Sequence, residues 1–253
     1  MIIIHDGNWQ RFAESVREEA PYLCGNFPRQ GKCGDLPYAR PYTEVMDLIP
    51  PSKYDEYYQA MVGRFIRQKY ESCNPKLQNQ GPHPACTRYS LAQHMECVRA
   101  NMGLPYIQYA PESVSGTYGW SDAGSMCKHA IAWVKAHGIA PRSFVPQYSF
   151  NPKSFAVGWE QAALDCVALE VFDLGTKDIE AEVMTALLTG EAVHFGVDWL
   201  MHAMNYEEIQ KQKNGEYGFW TPNTWGAGRD MLLLGSKKIP DEAYVVRQVT
   251  FSR

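Results

Sequence analysis

The stretch from residue 79 to residue 90 combines residue types that could carry out nucleophilic chemistry. Cys86 follows His-Pro-Ala, where a loop is predicted to turn into a helix. The free N–H groups and the dipole of a first helical turn stabilise an anion, and the thiolate is the nucleophilic form of cysteine. We therefore predict that Cys86 is a nucleophile with a lowered pKa. Six residues earlier, the side-chain amide of Gln80 could donate to an oxyanion beside the thiol.

Two residues far downstream could complete such a site. A cysteine nucleophile needs an imidazole that takes its proton and later protonates the leaving amine, and a side-chain amide can orient that imidazole. His202 precedes a predicted strand, and Asn223 follows the strand predicted to pair with it. The Asn-Gly turn at 214–215 can bring these two residues together. The sequence thus predicts a triad in the chain order Cys86, His202, Asn223.

These segments resemble the papain-like cysteine peptidases (C1-like), of which this chain would be a divergent member. Asn-Gln-Gly at 79–81 before Cys86 is similar to the family's oxyanion glutamine and nucleophile segment. Asn-Thr-Trp-Gly at 223–226 is similar to its Asn-Ser-Trp-Gly motif, and His-Ala at 202–203 to its His-Ala. The resemblance runs from about residue 74 to the C-terminus. It implies a thiol endopeptidase with no cofactor, a peptide or protein substrate, and a papain-like two-lobe fold.

The resemblance also implies roles for residues that line the substrate groove. Ala123 and Gly124 stand where the family has paired glycines along that groove. Trp225 is expected to pack over the contact between Asn223 and His202 and to border the substrate.

The chain departs from the family pattern in several places, and the changes at 87–89 and before His202, together with an extended segment at 21–51, favour a different function. Thr87-Arg88-Tyr89 replaces the family's Trp-Ala-Phe, and two half-cystine positions hold His83 and, approximately, Asp122. The predicted strand 192–199 runs almost directly into His202, where the family has a long excursion. One alternative is therefore a catalytically weak or inactive papain-fold protein that serves as a structural or interaction component, for example of a virus particle. Another is a cell-wall amidase or acyl-transfer enzyme with the same triad order.

Hydrophobic periodicity and turn residues predict the elements that must position these side chains. Helices are expected first and strands later, which is typical of an α+β fold in which a helical lobe packs on an antiparallel sheet or barrel lobe. The predicted helices cover 8–19, 52–70, 86–102, 125–137 and 179–188. The predicted strands cover 192–199, 203–209, 216–221, 232–234 and 243–251.

The first 73 residues lie outside the resemblance and are predicted to be an N-terminal extension of a papain-like domain at 74–253. Residues 21–51, rich in Gly and Pro, form an extended segment that we call the arm. The helix at 52–70 is expected to start with a capping box of Ser52 and Asp55 and to be amphipathic. Its apolar face would pack on the main body, because an exposed stripe of that size favours aggregation. The arm is expected to contact either the cleft or a partner chain.

Composition excludes several classes of partner. The chain has 253 residues and a formal net charge of −4. It has no Lys/Arg run suited to phosphates, so we expect no nucleic-acid partner. No stretch reaches the roughly 18–20 apolar residues that span a bilayer, so we expect no membrane partner.

The cysteines bear on location and on metals. No signal peptide is visible, and the seven cysteines are scattered and odd in number. We therefore expect a reducing cytoplasmic or intracellular compartment, or a virus particle, and no disulfide framework. Cys24 and Cys33 could form half of a zinc site, but no second pair has a suitable spacing, so we expect no metal.

Overall fold

A computed structural model of the protein describes residues 1–20, 24–29, 31, 35–226 and 228–249. Parts of the predicted arm, including Cys33, and the end of the last predicted strand at 250–251 lie outside the described residues.

The helices of the described residues agree with the predicted ones in place, with two exceptions. They are α1 (Trp9–Glu19), α2 (Tyr54–Met61), α3 (Ile66–Ser72), α4 (Cys86–Asn101), α5 (Cys127–His137), α6 (Trp159–Leu164) and α7 (Ile179–Leu188). The short helix α6 was not predicted, and the region predicted as one helix at 52–70 contains two.

The predicted helix at 52–70 is interrupted at Gly63, which has φ +75°. Helix α2 ends before this left-handed glycine and α3 begins after it, because a residue with positive φ cannot continue a right-handed helix. The predicted capping box is also wrong, since Ser52 lies in a short 3₁₀ turn and Lys53 precedes α2 without a side-chain cap. The apolar face nevertheless packs on the core through Tyr54, Tyr58, Met61 and the buried Phe65.

The strands form two sheets within the described residues, where the sequence predicted one antiparallel sheet. The five-stranded sheet has the order β2-β3-β9-β4-β5 and the four-stranded sheet the order β1-β8-β7-β6. The strands are β1 (Ile2–Ile4), β2 (Arg40–Pro41), β3 (Ala168–Leu174), β4 (Val193–Val197), β5 (His202–Tyr206), β6 (Glu208–Lys211), β7 (Tyr217–Thr221), β8 (Met231–Leu233) and β9 (Glu242–Val249).

Two strands of the N-terminal extension belong to these sheets. Strand β1 pairs in parallel with β8, and β2 pairs in parallel with β3, while the other strand pairs are antiparallel. Tyr42 and Ile49 of the extension are buried in the largest apolar cluster. The extension is thus built into the body of the protein, and the α+β class predicted from the sequence is confirmed. No helix of the described residues is both long and apolar enough to cross a bilayer.

Helix α4 carries Cys86 at its first position and packs against β5 and β9.

Two buried carboxyl groups lie where α4 packs on the sheet, Glu96 on α4 and Glu207 directly after β5. Burial raises the pKa of Glu96 to about 7, although Gln78 and the Tyr109 N–H donate to its carboxyl at 2.7 and 2.9 Å. Burial also raises the pKa of Glu207 to about 8, and Gln93 donates to it at 2.9 Å. The structure therefore favours the protonated form of both groups.

Glu207→Gln should reduce the pH dependence of stability. The raised pKa means that the folded state keeps a proton that the unfolded chain loses near its usual pKa of 4.5, so stability falls as pH rises from there to about 8 and then levels off. The variant keeps an acceptor oxygen for Gln93 and lacks the ionisation. We expect the wild-type Tm to fall between pH 5 and pH 9 by on the order of 5 °C more than that of the variant.

Thermal unfolding followed by circular dichroism measures this difference. Glu18→Gln, in an exposed position of α1, is the matched control and should keep the wild-type pH profile. An identical profile for the Glu207 variant would show that this carboxyl is not desolvated.

Candidate active site

Cys86 is the first residue of α4 and is completely buried. The backbone N–H groups of Ala203, Gly25 and Thr87 face its sulfur. Thr87 supplies the first-turn N–H that the sequence predicted. The other two N–H groups come from β5 and from the N-terminal extension, which no local sequence pattern indicates.

A histidine–asparagine pair lies at the edge of the same region. His202 begins β5, Asn223 follows β7, and both side chains are buried. His202 Nε2 lies 3.0 Å from Asn223 Oδ1. The ring of Trp225 lies against the His202 ring, with 4.5 Å between centroids. The amide therefore orients the imidazole, and the indole shields their contact from water.

The packing of α4 on β5 brings the cysteine and the histidine to adjacent elements. The Ala203 N–H, which faces the Cys86 sulfur, belongs to the residue directly after His202. Further along the same helix, Asn205 Nδ2 donates to the Ser90 carbonyl at 2.6 Å. The start of α4 and the start of β5 are therefore held in contact.

Gln80 links the loop before Cys86 to the loop that carries Asn223. Its backbone N–H donates to the Thr224 carbonyl at 2.9 Å, and its Oε1 accepts from Thr224 Oγ1 at 2.7 Å. Its Nε2 donates to the His83 carbonyl at 2.8 Å. These bonds fix the amide orientation, with the NH₂ end on the loop that leads into Cys86.

His83 and Asp122, which occupy the half-cystine positions implied by the resemblance, contact each other. His83 Nδ1 lies 3.2 Å from Asp122 Oδ2. The His83 ring also packs against Tyr148 and Phe150, with centroids 5.2 and 5.5 Å away. His83 is thus the centre of this contact. The six cysteines of the described residues are all free thiols.

Part of the arm lies in the groove beside Cys86. We call residues 24–29 the cleft segment. The Asn26 N–H donates to the Met201 carbonyl at 2.9 Å, directly before His202. The Ser125 N–H donates to the Gly25 carbonyl at 2.8 Å, and the Phe27 N–H donates to the Ser125 carbonyl at 3.1 Å. The cleft segment thus pairs in parallel with the residues that follow Gly124. This part of the arm therefore contacts the residues next to His202 and Gly124.

The approach of the cleft segment requires glycine on both sides. A Cβ on Gly25 would overlap the Pro84 carbonyl, and a Cβ on Gly124 would overlap the Gly25 carbonyl. Gly124 therefore lies in close contact with the cleft segment. The Ala123 carbonyl instead accepts from Arg88 Nη2 at 2.9 Å, within the body of the protein.

Two side chains anchor the cleft segment, and no sequence signal indicated either. Arg29 forms a two-pronged ion pair with the buried Asp173 of β3, with N–O distances of 2.9 and 2.7 Å. Asn26 is buried, and its Oδ1 accepts from the Cys127 thiol at 3.5 Å. A Cβ on Gly196 would crowd the Asn26 amide, so β4 also leaves room for this side chain.

The predicted lowered pKa of Cys86 is wrong for this structure. Burial raises the pKa of the thiol to about 12, and the N–H groups of Ala203 and Gly25 oppose this only partly. The cleft segment covers the sulfur. Removing a thiolate from water costs more free energy than hydrogen bonds from a few backbone N–H groups restore.

Three solved structures share the fold of this chain over most of its length. Pro-cathepsin B S9 from Trypanosoma congolense matches with a TM-score of 0.62 and 15% identity, covering 93% of this chain and 89% of that chain. Digestive procathepsin L 3 of the Tenebrio molitor larval midgut matches with 0.63 and 12%, covering 94% and 87%. Xylellain, a cysteine protease from Xylella fastidiosa, matches with 0.58 and 14%, covering 92% and 97%.

The chain therefore has the fold of the papain-like cysteine proteases, which confirms the fold that the resemblance implied. No protein-family model matches the sequence, and no curated protein sequence matches it.

Gly25→Ala should expose Cys86. The added methyl cannot fit against the Pro84 carbonyl, so the cleft segment must leave the groove. Water then reaches the sulfur, and the pKa of Cys86 falls. We expect alkylation of Cys86 by iodoacetamide near neutral pH to be faster than in the wild type by on the order of tenfold or more. Mass spectrometry of the tryptic peptide 77–88, whose one cysteine is Cys86, measures the rate.

Gly103→Ala is the matched control. The added Cβ meets no atom within 4 Å, and the φ of +69° strains the alanine backbone at a turn outside the cleft. Cys73, half-buried on α3's C-terminal side, is the internal reference thiol. Equal Cys86 rates in wild type and in Gly25→Ala would show that the cleft segment does not protect the thiol.

Proposed function

We propose that this protein is a cysteine peptidase that hydrolyses peptide bonds with Cys86 as nucleophile. The observation that carries the proposal is the hydrogen bond between His202 and Asn223, covered by Trp225 and adjacent to the helix start that holds Cys86. An amide-oriented imidazole beside a thiol at a helix N-terminus is the arrangement that thiol-based acyl transfer requires.

Each of the four residues Cys86, His202, Gln80 and Asn223 has a separate role in the proposed reaction. His202 takes the proton of Cys86, and the thiolate attacks the substrate carbonyl. The Cys86 N–H and the amide of Gln80 stabilise the oxyanion. His202 then protonates the leaving amine, and a water molecule, deprotonated by the same imidazole, hydrolyses the thioester. Asn223 keeps the imidazole in the orientation for both transfers.

The substrate would bind where the cleft segment now lies. Backbone groups of Ser125 and Met201, which pair with the cleft segment, can pair with an extended peptide in the same way. Gly124 leaves room for the peptide backbone, Ala123 precedes it in the groove wall, and Trp225 borders the other end of the site. Substrate and cleft segment therefore compete, and the present structure corresponds to a self-inhibited form.

Two further observations support a self-inhibited peptidase. The Arg29–Asp173 ion pair is largely buried, which holds the cleft segment in place without a covalent bond. Two of the similar structures are named as pro-forms, pro-cathepsin B and procathepsin L 3.

The alternative function, a papain-fold structural or interaction protein without turnover, is favoured by the short β4–β5 connection. Strand β4 ends at Val197 and β5 begins at His202. On this side of the groove, residues 198–201 and the cleft segment therefore stand where the family has a long excursion. The raised pKa of Cys86 in this form also suits a protein that does not turn over. Opening the groove without removing the extension separates the two functions.

Deletion of residues 1–50 would not be a clean test. It removes β1 from the four-stranded sheet and takes the buried Tyr42 and Ile49 out of the core. A single substitution in the cleft segment leaves these parts in place.

Gly25→Ala should cleave internally quenched peptides of mixed sequence at a rate on the order of tenfold or more above the wild type, in proportion to the exposed thiolate. Adding Cys86→Ser should abolish cleavage. Adding His202→Ala should reduce kcat by roughly 10²–10⁴-fold, the usual contribution of a general base. Adding Asn223→Ala should cost less than adding His202→Ala, since it misorients the imidazole without removing it.

The matched control for these variants is Gly103→Ala, which should keep the wild-type rate. A Gly25→Ala protein that is folded and rapidly alkylated at Cys86, yet cleaves no peptide, would establish the structural or interaction function instead.

A further inference from the structure

Cys24 lies beside Cys86 where the cleft segment crosses the groove. The Gly25 N–H faces the Cys86 sulfur, and the Cα of Cys24 is two covalent bonds, about 2.4 Å, from that nitrogen. The Pro84 carbonyl, two residues before Cys86, is in close contact with Gly25. These contacts bring the backbones around Cys24 and Cys86 close together, and a disulfide joins two cysteines whose Cα atoms are roughly 4.4–6.8 Å apart.

The two cysteines are held together by independent anchors. Three backbone hydrogen bonds join the cleft segment to Met201 and Ser125, with lengths of 2.8 to 3.1 Å. The ion pair between Arg29 and Asp173 holds the other end of the segment. Two thiols tethered in this way have a high effective concentration toward each other.

The two thiols differ in access to a reagent. Cys24 is half-buried and Cys86 is completely buried. Burial raises the pKa of Cys24, and the positive charge of Arg17 opposes this only partly. Arg17 is held near the groove, because its guanidinium donates to the Trp199 carbonyl at 2.9 Å. A small oxidant therefore meets Cys24 first.

We propose that Cys24 and Cys86 form a reversible disulfide that locks the cleft segment in the groove. The Cys24 thiolate attacks a small-molecule disulfide, such as oxidised glutathione, and displaces one thiolate. Cys86 then attacks the Cys24 sulfur, displaces the second thiolate and transfers its proton to it. Two protein thiols are oxidised, and the small disulfide is reduced to two thiols.

The regulatory meaning of this disulfide rests on the proposed peptidase function. The bond consumes the nucleophile and fixes the segment that covers it, so the oxidised protein has neither an accessible groove nor a free Cys86 thiol. Reduction restores both, and opening of the groove then requires a reducing environment. The chemistry of the bond itself needs no peptidase activity.

Peptide mapping of the full chain tests the proposal. The protein is incubated with oxidised glutathione, blocked with N-ethylmaleimide and digested with trypsin without reduction. The tryptic peptides 18–29 and 77–88 contain one cysteine each, Cys24 and Cys86. We expect these two peptides to be linked, the alkylatable thiols of the denatured protein to fall from seven to five, and dithiothreitol to reverse both changes.

Variants separate this inference from the proposed function. Cys24→Ser should not form the link, while Cys73→Ser should form it as the wild type does, because the exchange does not need Cys73. Glutathione that stays on Cys24, or a link from Cys24 to another cysteine such as Cys127, would overturn the proposal. A Cys24–Cys86 link in a protein with no peptidase activity would leave the disulfide standing and remove the peptidase.

Discussion

The burial of helix α4 along nearly its whole length is the constraint on which the rest of the structure depends. Every residue from Cys86 to Arg99 is buried, polar and charged ones included. An unpaired buried polar group costs about 1–3 kcal/mol, and neighbouring elements pair several of the polar side chains of α4. Glu207 accepts from Gln93, and the Tyr109 N–H donates to Glu96. These contacts hold α4 in one position, and the position of Cys86 follows.

The same constraint explains a departure from the family pattern beside the nucleophile. Arg88 is buried, donates to the Ala123 carbonyl at 2.9 Å and lies over the Phe150 ring at 4.5 Å. It ties the start of α4 to the groove wall that ends in Gly124. His83 and Asp122 join the same two regions by a polar contact at positions where the family resemblance implied a disulfide. The groove is thus held by polar contacts and leaves the cysteines free for other chemistry.

Exclusion of water decides the state of the nucleophile. A helix start and three backbone N–H groups favour a thiolate, yet burial raises the pKa of Cys86 to about 12. The cleft segment contributes to this burial, and it fits because Gly25 and Gly124 have no Cβ at their points of closest approach. A segment anchored by one ion pair and a few backbone bonds can therefore control a thiol whose own surroundings favour ionisation.

Local patterns in the sequence determined much of this protein. Helical periodicity located α4 and α5, and an Asn-Gly turn located the hairpin of β6 and β7. The chain order of Cys86, His202 and Asn223 indicated the fold and the pair that the structure joins at 3.0 Å. Such features depend on neighbouring residues or on motif spacing, so a single sequence contains them.

Only the tertiary structure decided what covers Cys86. The pairing of Gly25 with Ser125, the ion pair of Arg29 with Asp173 and the parallel strands β1 and β2 join residues about 100 to 230 positions apart in the chain, and no local pattern encodes such partners. The pKa of Cys86 likewise depends on one local feature and one distant feature. The helix start that lowers it is local, whereas the burial that raises it comes from a distant segment, and the desolvation of a charge outweighs a few hydrogen bonds to it.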